Sequence, residues 1–153
     1  MSTSSTGAES SFTALRDKSL QELEGNDGGE PTFNSHVVQE RHRLRCVPLK
    51  QLRIEDLRLL IGQGDGLLYL VPLALEHLEK HPFAEGDFYP GDLLGSVLTV
   101  AEPFWAGHPE LRQTLVRALE RAMQRVHRVS VPDGFAAEIR RHLVLHRAAA
   151  GTA

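Results

Sequence analysis

The sequence predicts an all-α fold, a single compact multi-helix domain of about six or seven helices, and three observations carry that expectation. Apolar residues recur at helical spacing, as in Ile54, Leu57, Leu60 and Ile61, and again in Leu111, Leu115, Leu119, Met123 and Val126. Capping residues and Pro or Gly breaks punctuate the chain between these stretches. Strand signals are scarce throughout.

At 153 residues the chain is long enough to bury one sizeable core, so one domain is expected over 15–147, with a disordered leader at 1–14 and a frayed tail at 148–153. Met1 to Ser11 holds seven Ser or Thr residues and no apolar periodicity. Hydrophobic residues make up 41% and charged residues 24%, an ordinary globular balance. A net charge of −3 argues against a dedicated nucleic-acid binder, whose domain is usually basic. With one cysteine, Cys46, no internal disulfide can form, which fits a reducing cytoplasm. The longest near-apolar run, Leu67 to Leu75, falls far short of the ~20 residues a membrane span needs. The N-terminus lacks the basic and apolar regions of a secretory signal.

The elements follow in order. Ser19 and Glu22 form a capping box for a short helix, Leu20 to Glu24, which Gly25 to Pro31 breaks. Ser35 to Arg45 reads as a helix with Val37, Val38 and Leu44 on it and a basic face at Arg41, Arg43 and Arg45; Pro48 ends it. The next helix, Ile54 to Ile61, has Arg53 at its N-cap position, where no side-chain oxygen is available; Glu55 and Asp56 in its first turn favour the helix dipole. Gly62 to Gly66 is a turn. Its alternating glycines do not make a phosphate loop, because no strand precedes, no lysine follows, and Asp65 would repel phosphate.

Leu67 to Glu79 is the expected central helix, apolar on nearly its whole circumference in the first half and therefore surrounded by other helices. Pro72 has no amide, so the helix is expected to start near Val71 or to kink there. Pro82 stops it. The loop Phe83 to Asp92 mixes aromatics, acids and turn formers, and Asp92 stands where an N-cap is expected for a helix carrying Leu93, Leu94, Val97 and Leu98. Pro103, Phe104 and Trp105 close this half. Pro109 suits the first turn of a long helix, Glu110 to Val129, with Arg117, Arg121, Arg125 and Arg128 down one side. Asp133 is expected to cap a last helix with Phe135, Ile139 and Leu143 inward.

Chemistry is sparse. His77 with His81, and His142 with His146, have the i, i+4 spacing of a zinc pair, but no intervening glutamate or third ligand is specified, so surface or cap histidines are expected and no metal. Cys46 has no Cys–His context and reads as a buried or inert thiol. No nucleophile elbow or dinucleotide fingerprint is present, so no catalytic residues and no cofactor are expected.

Charge is unevenly placed. Residues 53–92 hold three basic and eight acidic side chains, whereas 109–153 hold eight arginines against four acids. Such asymmetry points to a charged partner.

The segments DLRLLIGQ and YLVPLALEHLEKHPFAEGDFYPGDLL, with the FW that follows, resemble immunity proteins of bacterial contact-dependent growth inhibition systems. Upstream, SLQELEG and HRLRCVPLKQL extend the resemblance, which covers roughly Ser19 to Leu111. It departs at two points: no tryptophan stands near Gly28, and Arg53 replaces an expected Ser or Thr. The resemblance implies a cytoplasmic, non-enzymatic protein that binds the C-terminal toxin domain of a growth-inhibition effector and neutralises it by stoichiometric occlusion. Such toxins are commonly nucleases with basic substrate surfaces, so acidic residues would steer the encounter, with no direct nucleic-acid or membrane contact by this chain. The expected toxin-binding residues are Asp65, Glu76, Glu79, Glu85 and Asp87, with Tyr89 as an anchor. Pro72, Pro90, Gly91 and Asp92 are expected to serve the fold, since a motif shared by proteins that face different toxins suits structure better than partner choice. The alternative reading is a helical adaptor that uses the arginine row after Pro109. Oligomeric state is left open by the sequence.

Overall fold

The computed structural model describes residues 14–25 and 35–151. The expected leader falls almost wholly outside them, as do the loop residues after Gly25 and the final two residues of the tail. The described residues are all-α: eight α-helices, six of them seven residues or longer, two 3-10 turns and no strands. They divide into two compact units, Met1–Arg53 and Ile54–Ala153.

In the first unit, helix α1 spans Leu20–Glu24 and α2 spans His36–Leu44. Both begin as their sequences predict. Ser19 Oγ accepts the Glu22 N–H at 3.3 Å, and Ser35 Oγ accepts that of Val38 at 3.2 Å, each satisfying an amide the helix cannot. Gly25 ends α1 at φ +73°, a left-handed cap that glycine adopts without strain. The basic face expected on α2 is only partly a face. Arg45 is buried and pairs with Glu24, and the Gln21 N–H donates to the Arg45 carbonyl at 3.0 Å. Cys46 is exposed rather than buried, with its thiol 2.8 Å from Gln21 Oε1. A 3-10 turn, Leu49–Gln51, follows Pro48.

The second unit contains α3 (Ile54–Gly62), α4 (Leu67–Lys80), α5 (Asp92–Leu98), α6 (Glu102–Gly107), α7 (Pro109–Arg125) and α8 (Phe135–Gly151). A 3-10 turn, Val126–Arg128, extends α7. Helix α4 packs on α3, α5 and α7; α3 packs on α5, and α7 on α8. The core comprises Leu57, Leu60 and Ile61 of α3, Leu70, Val71, Ala74, Leu75 and Leu78 of α4, and Leu93, Leu94 and Val97 of α5. Leu115, Ala118, Leu119 and Ala122 of α7 and Ile139 of α8 complete it. Each fully buried Leu or Ile removes apolar area worth roughly 1.5–3 kcal/mol. Trp105 is buried with its one polar atom satisfied, Nε1–H donating to the Val100 carbonyl at 3.2 Å.

Three local expectations are corrected. Helix α4 starts at Leu67, not near Val71, and carries Pro72 inside it. The carbonyl that Pro72 leaves without an amide belongs to Leu68, a residue exposed to solvent. That exposure also means α4 is not enclosed on every side. Asp133 does not cap α8: Gly134, at φ +85°, occupies the position before the helix, and its carbonyl accepts the Glu138 N–H at 3.0 Å. Asp92 is the third correction, and it belongs to the site. Helix α8 also runs on to Gly151, through the first residues of the expected tail. No helix among the described residues is long and apolar enough to cross a membrane.

Candidate functional site: the acidic aromatic loop

The loop between α4 and α5 is built around two carboxylates. Helix α4 ends at Lys80, and Pro82 prevents its continuation. The chain then folds back, with the Gly91 N–H donating to the Phe83 carbonyl at 3.1 Å and a single antiparallel bridge pairing Glu85 with Pro90. Three successive amides at the tip turn toward carboxylates. Gly86 N–H donates to Asp92 Oδ1 at 2.6 Å, Asp87 N–H to Glu55 Oε2 at 2.8 Å, and Phe88 N–H to Asp92 Oδ2 at 3.0 Å. Hydrogen bonds to a charged acceptor contribute about 1.5–3 kcal/mol each, so this tip is held firmly.

Asp92 therefore serves the loop and not the helix start. It is the first residue of α5, with Gly91 at the cap position, and no side chain caps the helix. From that position its carboxylate turns back along the chain to the loop amides. Two glycines make room for the arrangement. A side chain at Gly86 would press on Glu55, whose Cα would lie 3.2 Å away. At Gly91, φ is +93°, and a Cβ would meet Phe135 at 2.8 Å and Phe83 at 3.1 Å.

Glu55 has a second role. Arg58, one turn along α3, grips it with both Nε, at 2.8 Å, and Nη2. This hydrogen bond raises the Arg58 pKa above its ordinary value. The guanidinium lies 4.4 Å from the centroid of the Phe88 ring, a cation–π contact. Phe88 is otherwise open, with 68% of its surface exposed. Tyr89 packs edge-on against Phe135 with centroids 5.6 Å apart. Burial raises the Tyr89 pKa, and the negative charges of Asp92 and Glu138 raise it further, against the opposing effect of Arg58. Beside these rings lies a cleft of about 200 Å³ lined by Arg58, Phe88, Tyr89, Asp92, Gly95, Ser96 and Thr99.

The structure brings together some of the expected toxin-binding residues and separates others. Glu85 and Asp87 are exposed on the loop, and Tyr89 of the same loop is half-buried. Glu79 lies near the end of α4, where Arg117 Nη2 of α7 reaches its carboxylate at 3.0 Å and Arg121 donates to its backbone carbonyl. Glu76 is half-buried one turn earlier. Asp65 precedes α4, and the fourteen-residue helix puts about 20 Å between that end and the loop. The sequence reading missed Arg58 and Phe88 and assigned Glu55 only to the helix dipole. The clue available was the i, i+3 spacing of Glu55 and Arg58, which permits an ion pair on one face.

The expectation of surface or cap histidines holds for His77, which is exposed, and for His81, which is exposed at the C-cap of α4, but not for His146. His81 lies outside α4 with φ −139°, so it does not share a helical face with His77. His142 and His146 stack with centroids 6.0 Å apart, but His146 is buried against the edge of Trp105 at 5.5 Å. Burial, with Arg112 adding repulsion, lowers its pKa to about 4. Among the described residues, no group of three or more His, Cys, Asp and Glu side chains is placed to hold a metal ion.

A family model described as "CDI immunity proteins" matches residues 22–115, a span that includes Glu55, Arg58 and the whole loop. No curated protein matches the chain.

Proposed function

The chain belongs to the family of CDI immunity proteins, and on that footing we propose that it binds and neutralises the C-terminal toxin domain of a contact-dependent growth inhibition effector by stoichiometric occlusion. In this reading the protein acts in the cytoplasm of the producing cell, needs no cofactor and performs no catalysis. The toxin is a nuclease whose substrate-binding surface is basic, and acidic side chains of this chain occupy the place of substrate phosphates.

Besides the family match, one observation carries the reading. Glu85 and Asp87 are exposed on a loop whose backbone is already fixed by Asp92 and Glu55. A preformed charged surface loses little conformational freedom on association, which favours affinity. Its charge raises the encounter rate with a basic partner. Glu76 and Asp65 place further acids on the neighbouring helix and at its far end, whereas the charge of Glu79 is offset by Arg117. Tyr89 serves as the aromatic anchor of this toxin-binding surface.

The adaptor reading relies on the arginine row of α7. Arg117 meets the carboxylate of Glu79 and Arg121 its backbone carbonyl, so the first two guanidiniums of that row already have partners within the chain.

The test is growth rescue. The toxin domain encoded immediately upstream is expressed inside cells with and without this chain. Restored growth, with copurification of the pair, is expected. Continued arrest with both proteins soluble would remove the neutralisation reading and leave the family membership.

A further inference from the structure

The exposed ring of Phe88 and the cleft beside it belong to one surface, and its dimensions and charge narrow what that surface can receive. Among the described residues Phe88 is the most exposed of the large apolar side chains, and it stands out because its backbone is pinned: the Phe88 N–H is held by Asp92 while Arg58 supports one face of the ring. The ring is thus presented to solvent in a fixed position. Aromatic side chains on preorganised surfaces are the residues that most often dominate binding energy.

The adjoining cleft, at about 200 Å³, is smaller than the ~300–1,000 Å³ typical of small-molecule sites. It suits a single side chain better than a metabolite. Tyr89, Ser96 and Thr99 on its lining carry hydroxyls, that of Thr99 donating to the Ser96 carbonyl at 2.6 Å. The charge around it is negative. Arg58 is matched by its bidentate partner Glu55, and among the described residues Asp92 on the wall and Asp87 and Glu85 on the loop add three further carboxylates. The same balance is felt at Tyr89, where Asp92 and Glu138 outweigh Arg58.

We propose that this surface is the docking point of the toxin domain: Phe88 packs against the toxin while one toxin Lys or Arg side chain enters the cleft between Phe88, Tyr89 and Ser96. The inference rests on the neutralisation reading and adds to it a specific anchor, a specific recess and the chemistry of the group that fills it. Acidic residues on the loop steer the partner, whereas Phe88 and the cleft hold it. The first contribution falls with salt and the second does not.

The test measures affinity for the purified toxin domain encoded immediately upstream, using the full chain. Phe88→Ala removes the anchor, and Thr99→Arg places a bulky cation at the exposed lip of the cleft. Leu145→Ala, at an exposed apolar position on α8, is the control. Circular dichroism and thermal melting establish that each variant is folded. The expected result is a loss of about thirtyfold or more in affinity for Phe88→Ala, the size of a hot-spot truncation, through faster dissociation. Thr99→Arg should weaken binding at least tenfold, and Leu145→Ala should match the wild type. Wild-type binding with both site variants unchanged would overturn the docking point and leave neutralisation standing. Absence of wild-type binding would overturn both. If Phe88→Ala abolished a homodimer while toxin affinity stayed the same, the surface would be a self-association face and the inference would fail.

Discussion

Asp92 holds Phe88 by the backbone and leaves its side chain free: the Phe88 N–H donates to Asp92 Oδ2 at 3.0 Å, while the ring remains 68% exposed. The same carboxylate takes the Gly86 N–H, and Glu55 takes the one between them. A loop with an exposed aromatic ring would ordinarily be expected to collapse or to move. Here a buried acid and a half-buried acid hold its backbone by three hydrogen bonds, and the loop carries both charge and apolar surface.

Replacing Asp92 by Asn should loosen this loop. An amide has one acceptor oxygen, so one of the two backbone donors loses its partner in a buried setting. The expected cost is about 2 kcal/mol in urea unfolding, with faster amide exchange confined to 86–88. Unchanged stability and exchange would mean that the carboxylate does not organise the tip.

Two glycines with positive φ separate strain from crowding. Gly64→Ala meets nothing within 4 Å and should cost only the left-handed strain, roughly 1–2 kcal/mol. Gly91→Ala carries the same strain and also drives a Cβ against Phe135 and Phe83. Its melting temperature should fall several degrees further than that of Gly64→Ala.

Much of this was legible in the sequence, and the division follows contact range. The start of α1 at Ser19 and the inward stripe Phe135, Ile139 and Leu143 depend on neighbours one or two turns away, so local pattern sufficed. The Asp92 carboxylate was misread as a cap because its position before an apolar run looks the same whichever way the side chain turns. Its partners on the loop become visible only once that loop has folded. Glu55 and Asp87 meet across 32 residues, and Glu79 and Arg117 across 38. Spacing rules do not reach that far. The burial of His146 was likewise hidden, since it depends on Trp105 in another helix.

His146 should make stability depend on pH. Its folded pKa, about 4, lies below the ordinary histidine value of 6.5, so the unfolded chain binds the proton more readily. Stability contributed by the neutral ring is therefore complete above pH 6.5 and declines as pH falls toward 4. The expected loss is on the order of 2 kcal/mol over that range. His146→Leu keeps the site apolar and sacrifices no hydrogen bond at Nδ1, which has none. Denaturation from pH 7 to pH 4 should show a shallower decline for the variant than for the wild type; parallel profiles would contradict the assignment.

Charge on the loop and charge on α4 should behave differently. Asp87→Lys with Glu85→Lys should slow toxin association at least tenfold in low salt and leave the fold intact, because both side chains are exposed. Glu79→Ala should have a smaller effect on association, since Arg117 already offsets its charge. Its effect on stability should stay within about 1 kcal/mol, as for other exposed ion pairs. Equal effects of the loop and α4 variants on association would place the steering charge elsewhere.

Neutralisation by occlusion is tested most directly by titrating the purified toxin domain with this chain and examining the product by native mass spectrometry. The account predicts that full neutralisation requires one molar equivalent, that a one-to-one complex forms, and that toxin released from it has its original mass and regains its toxicity. Toxin cleaved or covalently altered, or neutralised by a small fraction of an equivalent, would contradict occlusion and make the protein an enzyme acting on the toxin.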